Sequence, residues 1–223
     1  MIPANECSCE PACPPVPFTV ACTLMNRQQP HRKRVRHFDD PGHFHELTFS
    51  CFRRMPLLTN DVWRGMLSES IDRAMAGQGY RLAAFVYIPE HVHLLVYPIS
   101  DAKGIAALLR AIKRPYSYRI KQLLASEGSR LLEELTVRQR TRVETFRYWQ
   151  EGPGYDRNLT KAKTVLSVVD YVRRNPVRRG LCTSAVEWRW SSLRHFTQEE
   201  PPNAPLLPEV HGLPMEFFDR REE

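Results

Sequence analysis

The sequence predicts an α+β sandwich in which an antiparallel sheet is flanked by helices. Segments of period two and of period 3.6 succeed one another from residue 45 onward in the order strand, helix, strand, strand, helix, helix. The second and third strand segments, "YRLAAFVYI" at 80–88 and "HVHLLVYP" at 91–98, are separated only by Pro89 and Glu90. Two residues are too few for a parallel crossover, so these strands pair antiparallel. A chain of 223 residues can bury a substantial core as one domain with extensions.

Residues 1–30 hold six prolines and four of the six cysteines, Cys7, Cys9, Cys13 and Cys22, but few large apolar residues. They read as a poorly ordered arm. Its "CSCEPAC" lacks the paired C-x-x-C or trailing histidine pair of a zinc site. A basic run follows, "HRKRVRH" at 31–37, a solvated stretch or a contact for phosphates. With it begins the main domain, residues 31–200. "HELTFSCF" from residue 45 reads as the first strand. "NDVWRGMLSESIDRAMAGQG" reads as a helix capped by Asn60 or Asp61 and closed by glycine. The two adjacent strands come next. "DAKGIAALLRAIKRPYSYRIKQLL" is a second helix with a basic side, and Pro115 predicts a break or kink in it.

Residues 126–145 are dense in charge and read as a helical or loop insertion. "FRYWQEGPGYDRNL" at 146–159 reads as an aromatic loop punctuated by Gly and Pro. "TKAKTVLSVVDYVRRN" is a third helix, whose Val165, Val168, Val169 and Val172 form its buried stripe. "EWRWSSLRHF" and a C-terminal tail, 201–223, complete the chain.

A net charge of +7 and a pI near 9.3 make nucleic acid the first partner to consider, since basic surfaces displace counterions from phosphates. No window approaches the ~18 apolar residues of a membrane span, and "MIPANECSCE" lacks the basic and apolar regions of a signal peptide. A cytoplasmic location without membrane association is the expectation. There is no P-loop, zinc-protease helix or Gly-rich dinucleotide turn.

On the third strand His91 and His93 project to one face, while Val92, Leu94 and Val96 project to the other. Position 95 is leucine, so the third alternating histidine of a histidine-triad hydrolase is missing. Two imidazoles side by side are either satisfied sheet histidines or half of a metal site. With 8 histidines in the chain, roughly 0.3 H-x-H patterns arise by chance. A second one, His43 and His45, stands at a strand entrance after "DDPG" and reads as surface. On the third helix Tyr171 and Asn175 lie one turn apart on a flank of the valine stripe. Asn175 precedes Pro176, which places it at the helix's C-terminal end. Arg173, Arg174, Arg178 and Arg179 surround the pair.

Four ordered blocks, "YIPEHVHLLV", "FRYWQEGPGYDRNL", "VVDYVRRNPVRRGLC" and "WRWSSLRHF", together resemble the REP-associated tyrosine transposases of bacteria. These are single-tyrosine HUH, or IS200-like, transposases. The resemblance spans about residues 45–196 and implies a ferredoxin-like (RRM-like) palm. It implies that His91, His93 and Asn175 hold Mg2+ or Mn2+ and that Tyr171 is the nucleophile, forming a 5′-phosphotyrosine link. Single-stranded or hairpin DNA at repeat palindromes is the implied substrate, for a metal-dependent endonuclease and strand transferase working as a monomer or a homodimer. Arg53, Arg54, Lys113, Arg114, Arg174 and Arg178 are the candidate DNA contacts. Trp149, Trp188 and Trp190 either stack bases or pack internally. The alternative is a domesticated hairpin-DNA-binding protein that keeps the fold without turnover.

Overall fold

A four-stranded sheet is built on β1 (Phe44–Ser50), β2 (Tyr80–Ile88), β3 (His91–Pro98) and β6 (Tyr155–Leu159), in the spatial order β2-β3-β1-β6 and antiparallel throughout. The computed structural model describes residues 42–99, 101–140, 143–152, 154–197 and 206–219. All lie in one compact unit, Val35–Glu223. The arm at 1–30 and the basic run at 31–37 fall outside the described residues.

Helices α1 (Asp61–Gln78) and α2 (Ile105–Ser126) cover one face of the sheet, and α4 (Ala162–Arg178) covers the other. The alternation of the strands sorts the two cores. Leu47 and Phe49 of β1 and Val92, Leu94 and Val96 of β3 pack with Leu67, Ile71 and Ile112 on the α1/α2 side. Phe44, Leu95 and Tyr97 pack with Val165, Val168, Val169 and Val172 of α4 on the other. The expected valine stripe is therefore the buried face of its helix. This α+β sandwich, with crossover helices joining strands that are not neighbours, is the predicted fold class.

Helix α1 starts where its sequence signals it. The Asn60 side chain accepts from the N–H groups of Val62 at 2.8 Å and Trp63 at 3.2 Å, and Gly79 closes the helix at φ 76°. Helix α2 runs through Pro115 as one helix, without the predicted break. Seven buried side chains, Ile105 to Leu124, anchor it on both sides of the proline, which outweighs one lost ladder bond. Likewise α4 continues through Pro176 to Arg178; Asn175 lies in its last turn, at the C-terminal end as expected, but keeps helical geometry despite the proline.

The charged insertion forms a single helical turn, α3 (Leu131–Glu134), and a separate hairpin of β4 (Thr136–Arg140) with β5 (Val143–Phe146). The larger correction concerns 146–159, read as a loop: its second half is β6, which completes the sheet by pairing with β1 from Phe44↔Leu159 to Thr48↔Tyr155. A short edge strand with one buried apolar residue, Leu159, and with Asp and Asn inside it has no legible period. The "HFH" expectation also fails. His45 is fully buried in β1, on the face opposite His91 and His93, with Nδ1 3.1 Å from Asp156 Oδ1 of β6. Its pairing strand was the missed one, so its partner was invisible.

Helices α5 (Leu193–Thr197) and α6 (Met215–Asp219) belong to the C-terminal segments. The tail covers the exposed edge of β2, where the His211 N–H donates to the Leu82 carbonyl at 2.8 Å. Phe217 of α6 then packs edge-on against Phe44. No helix among the described residues is long and apolar enough to cross a membrane.

Gly154 sets the approach of β6 to β1. It has φ 82°, and a Cβ there would lie 2.3 Å from the Thr48 carbonyl oxygen. Gly154→Ala is expected to destabilise the fold by at least ~2 kcal/mol, from left-handed strain plus a backbone clash. Urea unfolding of the variant against the parent measures it.

Candidate active site

Strand β3 places His91 and His93 next to each other on the α4 side, and α4 lowers Tyr171 and Asn175 onto them. His91 Nε2 and His93 Nε2 are 2.9 Å apart, and Asn175 Nδ2 is 3.3 Å from His93 Nε2. The Tyr171 ring meets the His93 ring edge-on with centroids 5.5 Å apart. All four side chains come from one chain. His91, His93 and Asn175 are buried, and Tyr171 is half-buried at the border of solvent.

Each imidazole is held from behind. Nδ1 of His93 is 2.8 Å from Thr48 Oγ1, its cross-strand partner on β1. Nδ1 of His91 is 3.2 Å from Glu90 Oε1, so the neutral ring donates there and turns the lone pair of Nε2 inward. With its proton on Nε2, His93 donates to His91; with the proton on Nδ1 it donates to Thr48 instead, and both Nε2 lone pairs face the same point. Burial pushes the pKa of both histidines down, that of His93 to about 3, with His91 and then Arg179 adding to the effect. For His91, Glu90 opposes burial, while Arg179 and Arg54 reinforce it.

The Asn175 amide lies beside His93. Its Oδ1 is buried with no hydrogen-bond partner. The amide has two orientations of the same shape, and the flipped one turns Oδ1 toward His93. Two imidazole nitrogens and one orphaned amide oxygen could hold a divalent cation and would leave positions open for water and phosphate. No group of three or more His, Cys, Asp or Glu side chains is arranged for a metal among the described residues.

A clasp ties the helix to the strand. Arg179, just past the end of α4, donates to Glu90, the same carboxylate that orients His91. Arg178 stands over the Tyr171 ring, its guanidinium carbon 5.1 Å from the centroid. Arg174 pairs with Asp170 at 2.8 Å on the exposed side, and Arg173 stacks over Phe196 at 4.2 Å.

The other predicted DNA contacts are dispersed. Arg53 and Arg54 are exposed in a 3-10 turn after β1, with φ 51° and 55°. Cys51 N–H of that turn donates to Glu90 O, which brings the turn to the His91 end of the site. Two successive non-glycine residues in the left-handed region cost about 1 kcal/mol or more each. Lys113 and Arg114 lie on α2, the layer beyond the sheet; Lys113 Nζ sits 4.8 Å over the Phe49 ring, and burial pushes its pKa down to about 8. The tryptophans pack internally: Trp188 Nε1 donates to Tyr87 O and Trp190 Nε1 to Asp61 Oδ1, both at 2.9 Å, while Trp149 meets Phe49 edge-on.

Sequence reasoning did not find Thr48 or Glu90, and it placed Arg179 beside the tyrosine pair without its link to Glu90. Glu90 stood beside His91 in "PEHVH", and its acceptor-only chemistry was a usable signal. Thr48 had none until strand register was known.

No family model and no curated protein matches the chain. Among solved structures, one from Deinococcus radiodurans aligns at 17% identity with a TM-score of 0.38 over 65% of this chain and 95% of that one, too loose a likeness to argue from. The REP-associated tyrosine transposase bound to a REP hairpin aligns at 20% identity with a TM-score of 0.56, over 81% of this chain and 94% of that one. The chain has the fold of that transposase.

Proposed function

We propose that this protein is a metal-dependent single-stranded DNA endonuclease and strand transferase, a tyrosine transposase that works at hairpins or repeat palindromes. The observation that carries the reading is the convergence of Tyr171 on His91, His93 and Asn175, with each imidazole tied at Nδ1. A purely structural pair of histidines has no need of a half-exposed phenol and an orphaned amide beside it. The shared fold adds the substrate class, since the similar transposase was solved with a REP hairpin.

His91, His93 and Asn175 would hold Mg2+ or Mn2+, which when bound supplies positive charge that polarises a non-bridging phosphate oxygen. The remaining work falls to the chain. α4 holds the Tyr171 ring against His93 at the wall of the groove, where a phosphodiester would have to lie in line with the phenol to be attacked. Arg178 over the ring offers positive charge beside a phenol, which is a weak nucleophile at neutral pH. The Tyr171 oxygen–phosphorus bond forms as the phosphorus–O3′ bond breaks, and the 3′ oxygen leaves as a hydroxyl with the proton the phenol gives up. One phosphoester replaces another, so a second 3′-hydroxyl can reverse the step and join strands without a nucleotide cofactor.

The direct test incubates purified protein with labelled single-stranded hairpin DNA and manganese and looks for a denaturant-resistant protein–DNA adduct. Its absence, with hairpin binding intact, would favour a binding protein without turnover. The clasp yields a further expectation. Glu90→Gln keeps the shape but weakens the orientation of His91 and releases Arg179, so manganese affinity by calorimetry should fall roughly tenfold or more. Unchanged affinity would mean that Glu90 serves packing alone.

A further inference from the structure

A groove of about 680 Å³ leads from His93 and Tyr171 along the N-terminal half of α4 toward β6. That size is within the ~300–1,000 Å³ typical of sites that enclose a small ligand. Lys163, at its far end, precedes Tyr171 by eight residues, about 12 Å along the helix axis. The metal donors do not account for the groove's own chemistry. Arg157 of β6 and Lys163 are exposed at its rim, and Tyr155, the first residue of β6, presents a ring that is 52% exposed.

The floor carries the opposite charge. Glu46 of β1 lies on the same sheet face as Thr48 and is 7% exposed. Arg157 Nη1 is 3.7 Å from its Oε2, beyond hydrogen-bond length, so the ion pair leaves the carboxylate free to accept. Burial raises the Glu46 pKa, with Arg157 opposing it. A buried carboxylate at the bottom of a groove for a polyanion repels phosphate and is costly to keep unless it accepts hydrogen bonds from the ligand. Phosphates are then held at the cationic rim and a base is turned inward.

We infer that this groove is a base-reading subsite for the DNA strand that continues from the scissile phosphate, with Glu46 selecting guanine. The inference rests on the proposed function and names the specificity of that site. Lys163 and Arg157 hold the backbone, Tyr155 stacks on the base, and Glu46 meets the Watson–Crick edge that an unpaired base exposes. A carboxylate only accepts, through two oxygens. Guanine offers N1–H and the N2 amino group side by side. Adenine and cytosine set an acceptor nitrogen beside their amino group, and thymine sets its one N–H between two carbonyls.

The test uses hairpin substrates with randomised bases flanking the cleavage site, and sequences the DNA captured as adduct in manganese. Guanine should be enriched at one flanking position by roughly tenfold in the parent protein. Glu46→Gln, which exchanges one acceptor for a donor, should lose most of that enrichment, because adenine and cytosine then match the amide as well as guanine does. Lys163→Gln, a change on an exposed helix face, should weaken all sequences alike and reduce the salt slope of binding by about 1. No guanine preference in the parent, or the same preference in Glu46→Gln, overturns the inference, as does parental salt dependence in Lys163→Gln. Should Glu46→Gln not fold, the parental preference and the Lys163 variant still decide. If the parent forms no adduct at all, the proposed function fails separately, and the base preference is read instead from equilibrium-bound DNA without manganese.

Discussion

Tyr171→Phe is expected to abolish adduct formation, a fall of at least about 10⁴-fold, while hairpin affinity changes by less than about threefold. The substitution removes one oxygen. The ring contact with His93 and the overlying Arg178 guanidinium are made by the ring itself and survive. Helix α4 is held by its valine stripe, none of which is touched, so the melting temperature should move little. Loss of the covalent species with retained folding and binding therefore isolates nucleophilicity. A gel assay with end-labelled hairpin, read beside filter binding, makes the separation. An adduct that persists in Tyr171→Phe would assign the nucleophile elsewhere and sink the tyrosine mechanism.

The sequence made the centre of the fold legible because its strongest signals are local. The two-residue separation of β2 and β3, the cap at Asn60 and the valine stripe each follow from a window of a dozen residues. The same is true of the face shared by His91 and His93. What stayed hidden depended on contacts between distant segments. β6 has no hydrophobic period of its own and exists because β1 offers an unpaired edge, with Gly154 permitting the approach. Once β6 was read as a loop, the burial of His45 against Asp156 and the placing of Arg157 beside Glu46 could not be foreseen. Pro115 and Pro176 were over-read for a related reason: the local rule against proline in helices is overridden by packing along the whole helix. The supporting residues of the site, Thr48 and Arg179, are likewise products of register, forty-five and eighty-eight residues from the histidines they serve.

His93→Ala is expected to remove manganese-dependent cleavage by at least about 10³-fold and to weaken manganese binding by a similar factor, with hairpin affinity in the absence of metal nearly unchanged. His93 stands at the centre of the proposed donor set. It touches Thr48, His91, Asn175 and Tyr171, so its loss removes one imidazole donor and the group against which both the amide and the phenol are placed. His91 touches His93 and Glu90, neither of them on α4, so His91→Ala should cost less in cleavage than His93→Ala while weakening manganese to a comparable degree. That ordering discriminates between two roles. If the histidines only bind metal, the two variants fall equally; if His93 also positions Tyr171, it falls further, and extra manganese rescues His91→Ala alone. Equal loss of cleavage and of metal-free hairpin binding in both variants would instead make the pair structural and remove the basis for a metal site.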